Sequence, residues 1–294
     1  MQIFQNEFDA SKEFSLLDVL KWKLLSKNSE VDDEKLLEVE YTPHLLNSDS
    51  DFICWLSHAS FLIQLKGKRF LVDPVFADIP FYKRKSKFPY SIDEIGRVDF
   101  LLITHAHYDH FDRKSIKAFE DQKPTFIVPK GFSRYLKKGT LFQELSWFEK
   151  FEVDKDITIY FVPAKHWSRR SAFDKNRALW GGFIFQKDDQ TIYHAGDTSY
   201  DKHFKDIAKK FDIDYALLPV GAYEPQFIMK HNHLDPNEAV KAFYDLGAQA
   251  MIPMHFGTFR LSDETLQHQI RWVEKIEESE NAVKVLKPGE VLFI

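Results

Sequence analysis

Nine consecutive residues of this chain could do chemistry: Thr104-His105-Ala106-His107-Tyr108-Asp109-His110-Phe111-Asp112. Imidazole and carboxylate at this density are the donors that a borderline divalent ion such as Zn²⁺ takes. His105 and His107 lie two apart, so in extended backbone they point to the same side. Asp109 and His110 follow once the chain turns. Polar groups packed this closely after an apolar run need partners. Four candidate ligands crowd a single tetrahedral ion that must keep one position open, so the spacing suits two ions, each completed from elsewhere in the chain. Two ions ~3.5–4 Å apart lower the pKa of a shared water toward ~7 and stabilise charge on attacking and leaving oxygens.

The elements that must position these residues are legible around them. The apolar run 98–103 reads as a buried strand that ends at the cluster. Earlier, 52–56 and 60–65 are strand-like, 66–68 is a turn, and 69–72 is a strand ending in Asp73-Pro74. Asp73 has two readings, a turn opener or a carboxylate that orients a metal-bound histidine. His58, between the first two strands, is either structural or serves the same orienting role. Later strands over 157–162, 191–195 and 249–254 end at His166, Asp197 and His255. His105, His166, Asp197 and His255 thus stand at strand ends, where ligands from one edge of a sheet system converge. A helix opens at Pro236 behind an Asp235 cap, and another spans 265–278. The expectation is an α/β sandwich of two sheets with helices on the outer faces, one domain over residues 51–294. Residues 1–50, with a short helical pattern over 16–25, form an arm packed on it.

Composition narrows the function classes. At 294 residues the chain can bury ~75% of its unfolded surface. Its net charge of −5 does not point to nucleic acid. Cys54 is the only cysteine, so no intrachain disulfide forms, which fits a reducing compartment. The first nine residues lack a basic region and an apolar core of signal type, and no run approaches ~18 apolar residues. A cytoplasmic protein is expected.

The His105-x-His107-x-Asp109-His110 motif, with a later His, Gly-Asp and His, resembles the metallo-β-lactamase superfamily. Within it the chain resembles the phospholipases D that hydrolyse N-acyl-phosphatidylethanolamine, and their bacterial relatives. The matching stretches are Trp55-Leu56-Ser57-His58-Ala59, Asp73-Pro74-Val75-Phe76, residues 104–112, and His166-Trp167-Ser168-Arg169-Arg170. They continue with Leu179-Trp180-Gly181, Ala195-Gly196-Asp197-Thr198, Gly221-Ala222-Tyr223-Glu224-Pro225 and His255-Phe256-Gly257-Thr258-Phe259. Together they span roughly residues 52–265. The resemblance implies an αββα fold, one zinc on His105, His107 and His166, a second on Asp109, His110 and His255, and Asp197 as the bridge. His233 falls on a family histidine near the reacting group. Ser57 stands where the family often has Gly, and Phe256 where it often has Trp.

The expected function is therefore a di-zinc hydrolase, a phosphodiesterase acting on a phospholipid or a similar organic phosphodiester. Asp109 and His233 are the catalytic candidates. Trp167, Arg169, Arg170 and Tyr223 are expected on the substrate side, and Asp73 and His58 behind the ligands. Lactone, thioester or β-lactam hydrolysis is the alternative, since zinc-held hydroxide also attacks carbonyls. A di-iron protein would prefer a carboxylate where His107 stands, and a non-catalytic module should lack a ligand. The run 81–90 places Lys83, Arg84, Lys85 and Lys87 among Phe81, Tyr82, Phe88 and Tyr90. It is either a solvated loop or a contact for an anionic substrate or lipid headgroups, giving weak peripheral membrane contact. A second copy in a homodimer completes the expected partners.

Overall fold

The computed structural model describes residues 3–7, 22 and 36–294, so apart from Trp22 the helical pattern expected over 16–25 lies outside the described residues. Strands β1 (Phe52–Ser57), β2 (Ser60–Leu65), β3 (Lys68–Val72), β4 (Phe100–Leu102), β5 (Thr125–Pro129) and β6 (Phe142–Leu145) build one sheet with β13 (Val291–Phe293), in the order β13-β1-β2-β3-β4-β5-β6. Strands β7 (Lys150–Glu152), β8 (Ile157–Val162), β9 (Gly182–Lys187), β10 (Gln190–His194), β11 (Tyr215–Pro219) and β12 (Ala250–Met254) build the other, in the order β12-β11-β10-β9-β8-β7. Both sheets are mixed. β1, β2 and β3 pair antiparallel and β3 to β6 parallel, while β7 to β10 pair antiparallel and β10 to β12 parallel.

The strand sequences explain the layers. In β1, Ile53 and Trp55 enter the central core between the sheets, while Phe52, Cys54 and Leu56 face the outer cluster. The same alternation puts Phe61, Ile63, Phe70, Val72, Leu102 and Ile127 inside and Leu62, Leu71, Leu101, Phe126 and Val128 outside. Strands covered on both faces read as continuous apolar runs rather than alternating ones. The outer layer of the first sheet is closed by Ile95, Ile116, Phe119 and Phe132. The second sheet is covered by α-helices His203–Ala208, Pro236–Leu246 and Leu266–Ser279, which contribute Phe204, Ala239, Phe243, Ile270 and Val273.

Local signals set the helix starts. Asp235 accepts from Glu238 N–H at 2.8 Å, and Glu238 reaches back to the Asp235 N–H, a capping box with Pro236 at the first position. Gly247 ends that helix in the left-handed conformation. Thr265 caps the last helix through His268 N–H. The edge strands β6 and β7 had no sequence signal: each is short, and exposed polar side chains interrupt it. Among the described residues, no helix is long and apolar enough to cross a membrane.

Candidate metal centre

The strand ends of both sheets deliver the expected residues to one place. β4 leads into His105, His107, Asp109 and His110; β8 leads to His166, β10 to Asp197 and β12 to His255. Asp73, just past β3, organises the first loop. Its carboxylate accepts from the Thr104 N–H at 2.8 Å, the Thr104 hydroxyl at 2.6 Å and His110 Nδ1 at 2.7 Å. The Thr104 hydroxyl is left to accept from His105 Nδ1–H at 3.0 Å. His166 Nδ1 donates to the Asn232 carbonyl at 2.9 Å. In His105, His110 and His166 the Nδ1 proton is thereby engaged and the Nε2 lone pair turns inward.

Two four-residue groups of donors result, and a three-residue one, Asp197, His233 and His255, overlaps the first at Asp197 and the second at His255. In His105, His107, His166 and Asp197, and again in His58, Asp109, His110 and His255, one ligand atom per residue lies within 4.8 Å of all the others in its group. His107 Nδ1 is 2.8 Å from His105 Nε2 and 3.2 Å from His166 Nε2. Asp197 touches both groups: its Oδ2 is 3.8 Å from His105 Nε2 and His166 Nε2 and 3.2 Å from His110 Nε2, and its Oδ1 is 3.2 Å from His255 Nε2. Asp109 Oδ2 is 3.7 Å from His110 Nε2 and 3.5 Å from His255 Nε2.

The donors fit a metal. His110 Nε2, His255 Nε2 and Asp197 Oδ1 are buried and make no hydrogen bond, although buried polar atoms normally find a partner. The Nε2 atoms of His105 and His166 also converge on His107 Nδ1, three ring nitrogens placed to share one cation. The clusters can therefore hold metal ions of the class that takes nitrogen and carboxylate oxygen.

Burial lowers the pKa of His105 and His166 well below the usual histidine value and that of His107 to about 4. His110 behaves oppositely: burial opposes its charge, but Asp197, Asp109 and Asp73 raise it well above that value. His255, buried too, is raised to about 9 by Asp197 and Asp109. Against burial, His110 pulls Asp109 and Asp197 well below the usual carboxylate range, with His255 acting the same way.

The remaining sequence candidates fall in different places. His58 Nε2 lies 3.2 Å from Asp109 Oδ2, and its ring centroid is 4.1 Å from that of His255. His233 comes to the edge of the centre, its Nδ1 4.0 Å from Asp197 Oδ2, buried and without a hydrogen bond. The Trp167 ring meets His107 edge-on at 4.3 Å. Arg169 Nε donates to the Ser171 carbonyl. Arg170 is engaged within the protein. Its guanidinium lies 3.8 Å over the Tyr108 ring and donates to the Phe111 carbonyl at 2.7 Å, bracing the ligand loop. Tyr223 is buried, with its hydroxyl 3.3 Å from His268 Nδ1.

The basic run divides. Arg84 turns inward, donating to Ser57 Oγ at 2.6 Å and to the Val75 carbonyl, with its guanidinium over Phe259. Lys83 pairs with Asp78, while Lys85 and Lys87 stand exposed with no salt bridge among the described residues. The sequence reading missed Arg84, Thr104 and Asn232 as supports of the centre. The last acts through its backbone, which no side-chain pattern announces.

Comparison with known proteins agrees with this geometry. The model of the Beta-lactamase superfamily domain matches residues 68–256. The chain is 32% identical over 281 residues to N-acyl-phosphatidylethanolamine-hydrolyzing phospholipase D 1 of Caenorhabditis elegans, covering 87% of this chain and 78% of that protein. It is 35% identical over 250 residues to the mitochondrial N-acyl-phosphatidylethanolamine-hydrolyzing phospholipase D of Saccharomyces cerevisiae, covering 78% of this chain and 53%, about half, of the yeast protein. Among solved structures, a metallo hydrolase from the archaeon Ignicoccus hospitalis shares the fold with a TM-score of 0.65 at 22% identity, covering 83% of this chain and 98% of that one. The chain belongs to the metallo-β-lactamase superfamily, in its N-acyl-phosphatidylethanolamine-hydrolysing phospholipase D-like branch.

Proposed function

We propose that this protein is a two-zinc phosphodiesterase of phospholipase D type, acting on N-acyl-phosphatidylethanolamine-like phospholipids or related organic phosphodiesters. One observation carries the reading: a single carboxylate, Asp197, stands between His105 and His166 on one side and His110 and His255 on the other, with His107 and Asp109 beside them. The names of the nematode and yeast relatives supply the substrate class. His105, His107 and His166 would hold one ion, and Asp109, His110 and His255 the other, with Asp197 between them. When bound, such a pair supplies hydroxide near neutral pH and polarises a phosphoryl oxygen.

The chain's own residues do the rest. Asp73 and Thr104 fix the ring orientations of His110 and His105, so that neither ligand must reorganise during turnover. Asp109, held by His58, takes the proton released from the attacking water at its carboxylate. His233, with a free Nδ1 facing Asp197, donates to a phosphoryl or leaving oxygen. Trp167 forms an apolar wall beside His107, and Arg169 on the same loop offsets the anionic charge of the diester.

Metal analysis together with a panel of phosphodiester, lactone, thioester and β-lactam substrates tests the reading. About two zinc ions per chain and turnover confined to phosphodiesters are expected. Carbonyl substrates turning over while phosphodiesters do not would replace this reading with the lactone-type alternative, and a chain that takes up one ion even in excess zinc would end the two-ion arrangement.

A further inference from the structure

The half of the centre made by His105, His107 and His166 depends on a joint between the sheets. His105 and His107 follow β4 of the first sheet, and His166 follows β8 of the second. The two loops meet where Ser168 Oγ accepts the Ala106 N–H at 3.2 Å, between the two loop histidines. Ser168 is locked in turn by Asn176, whose side-chain oxygen accepts the Ser168 N–H at 3.1 Å and whose N–H donates to the Ser168 carbonyl at 2.7 Å.

A segment far away in sequence completes the joint. The Phe4 N–H donates to the Asn176 carbonyl at 2.8 Å, and Asn6 Nδ2 donates to the His166 carbonyl at 2.8 Å. A Cβ on Gly131 would lie 2.5 Å from the Arg177 carbonyl and 3.3 Å from the Phe4 ring, so glycine lets both come close. Asn6 keeps its bond although its own Oδ1 is buried without a partner, a desolvation cost that an idle tail would avoid by facing water.

We propose that Asn6 is a positioning residue for this half of the centre. His166 is then held at both ends: its imidazole by the Asn232 carbonyl, its peptide plane by Asn6. The plane that Asn6 holds also aims the next residue, Trp167, whose ring abuts His107. Without the amide donor the 166–167 peptide can turn, which moves one ligand and loosens the wall against a second. No comparable contact reaches Asp109, His110 or His255 from residues 3–7 among the described residues. Asn6 therefore acts on one ion and leaves the other alone. The proposal rests on the two-ion reading above.

The test compares Asn6→Ala and Asn6→Leu with the intact chain and with His166→Ala. Zn²⁺ release is followed against a chromogenic chelator, and the Co²⁺-substituted proteins are compared by their absorption spectra. Leu preserves the bulk of Asn but cannot donate. Both Asn6 variants should bind one ion about 10–100-fold more weakly. The weakened ion should be the one lost in His166→Ala, with the same spectral band changed, and the other ion should keep its affinity. Wild-type affinity for both ions in Asn6→Leu would overturn the proposal, reducing Asn6 to packing. Equal weakening of both ions would overturn it as well, as a general loosening. An intact chain that takes up one ion only refutes the two-ion reading instead, and Asn6 is then judged by whether its variants weaken that single ion.

Discussion

The two halves of the centre are built from nearly the same residue types and held by different physics. Around His105, His107 and His166 the supports are neutral hydrogen bonds from Thr104 and the Asn232 carbonyl, and burial keeps the histidines uncharged. Around Asp109, His110 and His255 the supports are mainly carboxylates, Asp73 behind His110 and Asp109 and Asp197 in front, and His110 and His255 are pushed toward the charged form, while burial keeps His58, beside Asp109, neutral with its pKa lowered to about 3. The first half presents lone pairs by shape. The second gathers charge, and a metal ion entering it displaces protons. Asp197 alone belongs to both. The backbone divides in the same way. His58, Asp73 and His255, all of the second half, have φ of 53°, 42° and 63°, a conformation costing about 1–3 kcal/mol each that ordinary residues adopt only when their surroundings enforce it. His105, His107 and His166 are absent from the left-handed positions.

The largest effect should come from the residue the halves share. Asp197→Asn keeps the shape and removes the charge between the groups. Loss of metal is expected, together with loss of nearly all turnover, beyond the ~10²–10³-fold of a single lost donor, while the circular dichroism spectrum stays folded. Full metal occupancy with near wild-type activity would mean that the halves are independent sites and that Asp197 is only a turn residue after Gly196.

His233 tests whether a group at the edge belongs to either half. Its Nδ1 is 4.0 Å from Asp197 Oδ2, and it lies between the His166 and His255 rings at 5.2 and 5.7 Å. His233→Ala should keep both metals and lower kcat by roughly 10²–10³, the scale of one lost transition-state donor. Metal loss measured in this variant would instead make it a ligand, and unchanged kinetics a bystander.

Asp73 sharpens the contrast between charge and shape. Asp73→Asn leaves a hydrogen-bonding group of the same size but takes away the carboxylate behind His110. Metal affinity of the Asp109/His110/His255 half should fall about 10–100-fold, with the other half less affected because Thr104 can still reach His105. Equal weakening of both ions, read by chelator competition, would show that Asp73 acts through the whole 104–112 loop.

This contrast also explains what the sequence disclosed. The strands of the core were legible because β1, β2, β8 and β10 are apolar runs, and the ligands themselves mark the ends of β4, β8, β10 and β12. The edges β6 and β7 were not, since three or four mixed residues carry no periodicity. Every ligand candidate was legible because imidazole and carboxylate at strand ends are chemically conspicuous. The charged supports were half legible: Asp73 could be named, but Asp-Pro also opens turns, and only its three hydrogen bonds separate the readings. The neutral supports were illegible. Asn232 reaches His166 across 66 positions through its backbone carbonyl, and Asn6 across 160 positions by donating its side-chain amide to the His166 carbonyl. Arg84 misled in the opposite sense, reading as one of four surface cations although it is folded against Ser57 and Phe259.

The smallest effect concerns buried histidines outside both halves, and it separates the electrostatics of the centre from burial alone. His194 is saturated without metal, its Nε2 donating to the Ala59 carbonyl and its Nδ1 accepting the Gly196 N–H. His203 is buried on its helix with Nε2 against the Thr198 hydroxyl, and burial lowers its pKa to about 3. A histidine depressed in the folded state binds fewer protons there than in the unfolded chain. Its contribution is therefore complete above the unfolded value, near 6.5, and is lost progressively as pH falls toward about 3. His203→Gln should shift the stability near neutral pH modestly and flatten its decline between pH ~6.5 and ~4, measured by urea unfolding of chelator-treated protein so that metal release adds nothing to the slope. His194→Gln should flatten it in the same sense, because burial lowers that histidine too. If neither substitution changes the slope, burial of a histidine alone does not set the acid sensitivity of the metal-free fold, and the neutral histidines of the first half are the next to test by the same measurement.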